Sequence, residues 1–306
     1  MVEPNREEVR PATPPVRLRG EVGIAERLFW GATCLAAVAA IWFFATAGEA
    51  ESRLVSPATL PSPLETVREL PRVVGERRLA ANTLVTLGRV CLGFGLSVAV
   101  GVPLGVLAAC FPAVRAFLAP LAVFGRNIPV AALIPLTFFL FGIGELQKIM
   151  FLFIASVAFI LSDTTAAVLD VPQRYVDTAL TLGASRIQII LKVLAPLAAP
   201  AIFNSLRLLF GLAFGYVMLA ELVKFGSATG GLGDLINVSQ RRGEREPILL
   251  VLVIIPLVAY GIDRLLWWLQ SDLFPYRYGG RGFLPRAAHA SWNWILRPFS
   301  SREASV

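Results

Sequence analysis

Apolar residues in this chain gather into long runs, with polar residues filling the stretches between them. Runs 28–47, 90–109, 149–169, 196–223 and 248–269 each approach the roughly 20 residues an α-helix needs to cross a hydrocarbon core. A further run, 117–144, is interrupted by Arg126 and Asn127 and punctuated by Pro120, Pro129 and Pro135. It predicts a short helix, a break at 126–129 and a span reaching residue 142. Broken helices survive at membrane depth only where protein or a water-filled path covers the freed backbone groups. Residues 1–27 are polar and rich in proline and arginine, which predicts a disordered or loosely attached tail. A secretory signal peptide is not expected, because the polar lead is long and 28–47 is of full spanning length. Stretch 49–80 is a polar connection carrying Leu60-Pro-Ser-Pro63 and a mixed-charge segment expected to be helical. The pattern defines an all-α integral membrane protein with six transmembrane helices. Its parts are a tail 1–27, a membrane domain 28–270 and a second tail 271–306.

Composition agrees. Apolar residues make up 56% of the chain and charged residues only 16%, where a soluble chain is nearer a quarter charged. Cys34, Cys91 and Cys110 all lie inside apolar runs, and His289 is the one histidine. No disulfide framework, metal cluster or histidine-based catalytic pair is expected. The net charge of +7 is carried almost wholly by arginine. Nucleic acid is one partner such a balance suggests, but with these apolar runs membrane topology explains it better. Six spans place both termini on one side. Most arginines lie in the first tail, in loop 171–192 and beyond Asp263, which puts those regions in the cytoplasm by the positive-inside bias. Arg241, Arg242 and Arg245 run against it.

Loop 171–192 carries the most local information. Pro172 suits the first position of a helix, where its missing N–H would be unpaired anyway. Gly183 can take the left-handed conformation that ends one. Ser185 followed by Gln188 is a capping-box spacing that starts another. The loop therefore draws a helix, a tight turn and a second helix. Small residues four apart, Gly101 with Gly105 and Gly211 with Gly215, suit close helix packing or reflect general glycine and alanine content.

Here the sequence resembles a known family. Asp177-Thr-Ala-Leu-Thr-Leu-Gly183-Ala184, then Val193-Leu-Ala-Pro196 and Pro200-Ala-Ile-Phe-Asn-Ser-Leu-Arg207, resembles the EAA loop of ABC importer permeases. Further segments are similar to the subgroup importing nitrate, sulfonates, taurine, bicarbonate and thiamine precursors. They are Leu60-Pro-Ser-Pro63, Thr86-Leu-Gly-Arg89 with Gly93-Phe94, Arg126-Asn-Ile-Pro129 with Pro135, Phe141-Gly-Ile-Gly-Glu145, Ala220-Glu221 and Gly230-Gly-Leu-Gly233. The resemblance runs in order from residue 54 to residue 268. It implies a type I ABC importer permease bundle in the bacterial inner membrane. Asp177, Thr178, Ala179, Leu182, Gly183 and Ala184 would then form a cytoplasmic coupling helix seated on a separate ATPase dimer that holds ATP and Mg. A second permease copy, giving a homodimer, and an extracytoplasmic binding protein would complete the complex. The family's usual glutamate is Asp177 here, and Ala195-Pro196 and Ser205 also depart from its pattern. Lys148, Lys192 and Lys224 are the only lysines and none follows glycine, so a phosphate-binding G-x-x-x-x-G-K-[ST] loop cannot exist in this chain.

Charges inside the spans should face a partner or an aqueous path. Arg89, near the outer end of its span, is expected to snorkel. Arg126 and Asn127 stand at the broken span and are candidates for the translocation path, together with Asp163, Arg207 and Glu221. Arg207 could pair with the loop or with lipid headgroups, and Glu221 could gate or contact the binding protein. An arginine-lined path would favour an anion. The aromatic and basic tail 271–306 suits an interfacial helix, an ATPase contact or disorder. A self-contained ion-coupled secondary transporter is the competing reading, although no repeated broken helix supports it. A membrane enzyme lacks a catalytic set.

Overall fold

The computed structural model describes residues 23–48, 53–56, 59–223 and 230–278, and all regular structure among them is helical. Most of the expected tail 1–27, and the tail beyond residue 278, lie outside the described residues. The chain divides into two units, 1–64 and 65–306.

The first unit carries α1 (Ile24–Ala45), whose 22 residues include none that is buried. At 1.5 Å per residue it is about 33 Å long, enough to cross a hydrocarbon core of about 30 Å. Thr46 closes it by donating its hydroxyl to Trp42 O at 2.8 Å. Trp42 Nε1 in turn donates to Pro61 O at 3.0 Å.

After two short helices, α2 (Pro63–Arg68) and α3 (Leu70–Gly75), comes the long α4 (Leu79–Cys110). It starts eleven residues before the apolar run that announced it (79 against 90). Its first turns hold Asn82, Thr86 and Arg89, polar residues that lie ahead of the apolar run; Thr86 and Arg89 are buried and Asn82 is half-buried. Pro112 opens α5 (Pro112–Asn127). A 3₁₀ turn at Val130–Ala132 leads into α6 (Leu133–Phe141), and the two arms of this span bend by 94°. The bend falls where the sequence predicts it. Pro129 disfavours helical backbone at the residue before it, and Ile128 is extended, with φ −68° and ψ 126°.

Then follow α7 (Glu145–Leu169), α8 (Gln173–Thr181), α9 (Arg186–Ile189), α10 (Ala195–Leu222), α11 (Leu232–Arg241), α12 (Glu246–Leu273) and α13 (Pro275–Tyr278). Among the described residues, five helices have bilayer length and apolarity, and the bent pair makes up to six spans. Helix α11 lies in a stretch to which the sequence pattern assigns no element; it buries Leu232 and Leu235 against α10 and α12.

Helix α7 is the centre of the second unit, packed by α4, α5, α6 and α10. Its Phe151, Leu152 and Ile160 are fully buried. Lipid is as apolar as these side chains, so backbone closeness and interhelical hydrogen bonds decide the pairing. Along α4, Gly93, Ser97, Gly101 and Gly105 form a stripe of small residues four apart. A Cβ on Gly93 would stand 2.7 Å from Ile149 O, and one on Gly105 would stand 2.6 Å from Thr164 Cβ. The approach permits cross-helix hydrogen bonds from Ser97 Oγ to Phe153 O at 3.2 Å and from Thr165 Oγ1 to Gly105 O at 3.1 Å. A Cβ added at Gly211 or Gly215 would meet nothing within 4 Å, so among the described residues the first glycine pair, and not the second, is a close-packing site.

Candidate functional site

The loop after α7 folds as its caps dictate, with one correction. Pro172 sits before the helix rather than in it, with extended ψ of 131°, and α8 starts at Gln173. At the other end Gly183 takes φ +77°. Ala184 N donates to Ala179 O at 3.0 Å and Gly183 N to Leu180 O at 2.9 Å. This paired pattern of nested bonds satisfies the last carbonyls of α8 and requires a left-handed residue at its corner. Ser185 then opens α9 with a complete capping box, its N–H donating to Gln188 Oε1 at 2.8 Å and its Oγ accepting from Gln188 N at 3.4 Å.

The second helix of the hairpin does not stop. It widens into a π turn at Ile190–Leu194 and continues as α10. Pro196 has no N–H for the carbonyl of Lys192, and its ring crowds that carbonyl, so a wider turn relieves the clash. The turn at Gly183 is therefore rigidly continuous with the helix that ends at Leu222. Helix α8 itself is nearly bare. Ala179 is its one buried residue, while Leu180 and Leu182 are 53% and 82% exposed. Asp177 is also exposed, its carboxylate accepting only from Gln173 Nε2 at 3.1 Å among the described residues.

At the opposite end of the bundle, segments far apart in sequence converge on Arg89. This arginine does not snorkel, because it is 2% exposed. Its Nε and Nη2 donate to the two oxygens of Glu145 at 2.6 Å each, a bidentate fork. Its Nη1 donates to Glu221 Oε1 at 2.6 Å and to Gly230 O at 2.8 Å. Glu221 has no exposed side-chain surface. It also accepts from Thr86 Oγ1 at 2.9 Å and from Gly233 N at 2.9 Å. Thr86 Oγ1 takes Leu232 N at 2.9 Å, and Asn82 Oδ1 takes Gly231 N at 2.7 Å.

Glu221 and Thr86 thus supply acceptors to the first backbone N–H groups of α11, which have no partner inside that helix. Gly231, at φ +117°, lies so close that a Cβ would stand 2.6 Å from both Arg89 Nη1 and Glu221. Two buried charges of opposite sign, each saturated with hydrogen bonds, meet the condition for keeping ions out of water. Nearby, Arg77 bonds Ser239 Oγ at 2.5 Å and pairs with Glu244, tying the foot of α4 to the α11–α12 turn. Burial, and then Arg72 and Arg242 beside it, push the Arg77 guanidinium below its ordinary value.

The remaining candidates do not converge on one point. Arg126 lies exposed in the last turn of α5, its guanidinium 5.6 Å from the centre of the Phe159 ring. Asn127 bonds back to Val123 O at 2.7 Å. Asp163 is one turn beyond Phe159 on the same face of α7 and is half-buried. Arg207 pairs with Asp263 of α12 at 3.0 Å rather than with the loop. Sequence reasoning singled out neither Asn82 nor Glu145 as a site residue. Polar residues at helical spacing, Asn82, Thr86 and Arg89, were the available signal for a buried polar face.

A bundle of bilayer-length helices around one broken span, with a bare helix–turn–helix at one end, defines a membrane transport subunit. The chain belongs to the family of binding-protein-dependent transport system inner membrane components, matched over residues 101–273. It is similar to the taurine transport system permease protein TauC of Escherichia coli, 30% identical over 79% of this chain and 87% of that protein. It is also similar to the bicarbonate transport system permease protein CmpB of Synechococcus elongatus, 31% identical over 64% of this chain and 69% of that one. In structure it resembles a crystal structure of an amino acid ABC transporter, with a TM-score of 0.57 at 17% identity, over 67% of this chain and 98% of that one. The protein is therefore a membrane-spanning ABC importer permease and not itself an enzyme, which sets aside the secondary-transporter reading. Membership of the family implies ATPase and binding-protein partners.

Proposed function

We propose that this chain is one half of a homodimeric permease that imports a small oxyanion, such as a sulfonate, taurine, nitrate or bicarbonate. An extracytoplasmic binding protein delivers the solute at the Arg89 end. A dimer of separate ATPase subunits, holding ATP and Mg, grips α8 at the other end, in the cytoplasm. Both termini then lie in the cytoplasm, a placement that the arginine distribution supports. The names of the similar permeases support the substrate class.

The observation that carries the reading is the bare α8, with Leu180 and Leu182 exposed beside Asp177 and a rigidly capped turn leading into α10. A helix that buries one residue in its own chain, and is joined without a flexible break to a long span, suits a lever moved from outside. Asp177, Thr178, Ala179, Leu182, Gly183 and Ala184 are its working residues. Arg126, Asn127 and Asp163 line the solute's route. Arg207 and Glu221 brace the helices beside it through Asp263 and Arg89.

Gly183→Val tests the lever. At φ +77° the space around Gly183 is open, so the whole penalty is backbone strain, of about 1–2 kcal/mol for an L-residue and more for a β-branched one. The variant is expected to insert and assemble, yet its ATP hydrolysis no longer follows solute-loaded binding protein in liposomes. Unchanged solute-stimulated hydrolysis would contradict the proposal.

A further inference from the structure

Near the α8 end, α7, α10 and α13 border an open cleft of about 450 Å³, with Asp170, Asn204 and Arg277 on its exposed rim. Asp163 lines it from α7 and Asp170 from the residue that caps α7, Asn204 and Ser205 from α10, and Arg277 from α13. Alanines 166, 167 and 201 complete the wall and leave the space unfilled. Asp163 and Asp170 are seven residues apart, so they share a face of α7 about 10 Å apart along the axis. Among the described residues, none of these five polar side chains has a hydrogen-bond or ion-pair partner. By contrast, Arg89 is saturated by two carboxylates, and Arg207 pairs with Asp263 and bonds Gln270. A carboxylate half-buried within a span needs a partner or water, and Asp163 has the cleft.

The cleft's chemistry is two-signed. Carboxylates at one part of the wall would accept an ammonium group, while the Arg277 guanidinium, with the Asn204 amide and Ser205 hydroxyl, would donate to an oxyanion. Its formal balance, two carboxylates against one guanidinium, repels a plain anion. The volume falls within the roughly 300–1,000 Å³ of small-molecule sites.

We infer that this cleft is a solute-binding site for a small zwitterion, one primary ammonium and one oxyanion head joined by a short chain, on its way out of the permease. The assignment rests on the permease reading above and narrows its substrate class, from any small oxyanion to an amino-sulfonate or amino-carboxylate. Discrimination comes from the acidic wall, which a bicarbonate or nitrate ion meets as repulsion and a zwitterion meets as attraction. An ethanolamine phospholipid headgroup carries the same pair of charges, so the test must separate it from free solute.

The experiment titrates the nucleotide-free complex of permease and ATPase, held in phosphatidylcholine nanodiscs, with radiolabelled taurine and no binding protein. Saturable binding is expected, with β-alanine competing within a few-fold. Ethanesulfonate and ethylamine, which each keep one charge, should compete at least tenfold more weakly. Asp163→Asn and the exposed Arg277→Gln should each weaken taurine binding about tenfold, while Asp163→Glu stays within a few-fold. The inference is overturned by an absence of saturable binding, by equal competition from ethanesulfonate or ethylamine, by indifference to both neutralising changes, or by displacement with phosphatidylethanolamine alone. ATP-driven uptake in liposomes is scored separately. Uptake without binding at the cleft sinks this inference and leaves the permease reading standing, whereas binding without ATP-driven uptake does the reverse.

Discussion

Neutralising Glu221 is the sharpest test of the buried network. In Glu221→Gln the shape is kept, but one oxygen becomes an amide donor. The carboxylate now accepts from Arg89 Nη1 through Oε1 and from Gly233 N through Oε2, at 2.6 Å and 2.9 Å. An amide can serve one of these and must turn an N–H toward the other. The variant therefore leaves one buried donor without an acceptor and strips Arg89 of one of its two counter-charges. Breaking a buried pair costs about 3–5 kcal/mol. Arg89 keeps its fork to Glu145, so the lower end, about 3 kcal/mol, applies here. At roughly 2–4 °C per kcal/mol, the melting temperature of the detergent-solubilised protein should fall by about 6–12 °C.

Two companions sharpen the reading. Glu145 is 45% exposed and also lies 3.7 Å from Lys148, so water can replace part of its role and Glu145→Gln should cost less. Removing both buried charges, in Arg89→Met with Glu221→Leu, should recover more than half of the loss, because no buried ion is then left alone. A Glu221→Gln protein melting with the wild type, or a larger loss for Glu145→Gln, would refute the reasoning.

Other outcomes follow from the same geometry. Gly105→Ala pushes a methyl to within 2.6 Å of Thr164 Cβ and 2.8 Å of Leu161 O, so it should cost about 1–3 kcal/mol in thermal unfolding. Gly95→Ala, in open space on the same helix, should be neutral or stabilising by up to about 1 kcal/mol. Ser185→Ala removes the hydroxyl of the capping box and should cost about 1 kcal/mol locally. Hydrogen exchange at Gln188 would then speed up about fivefold, while the amides of α7 stay unchanged. Arg126→Ala leaves only its contact with the Phe159 ring to lose. The complex should assemble normally with uptake reduced severalfold, and unaltered uptake would remove Arg126 from the route.

Several features of this protein were legible along the chain because their causes are local. Run length announced the spans, and Pro129 beside Arg126 and Asn127 announced the break that the structure shows as a 94° bend. Gly183, Ser185 and Gln188 announced the turn after α8, since capping bonds reach no further than a few residues. The fate of Arg89 was of another kind. Its partners Glu145 and Glu221 lie 56 and 132 residues away, and a snorkelling arginine and a buried one have the same local sequence. The early start of α4 at Leu79 was hidden for the same reason, because polar residues in its first turns are helical only where other helices cover them. Likewise Gly105 and Gly211 share a spacing motif, yet a Cβ on the first would run into α7 and a Cβ on the second would meet nothing within 4 Å among the described residues. Length, breaks and caps are properties of consecutive residues and were set by sequence alone. Whether a polar or small residue faces lipid, water or another helix depends on which helices meet, and only the packed bundle decided that.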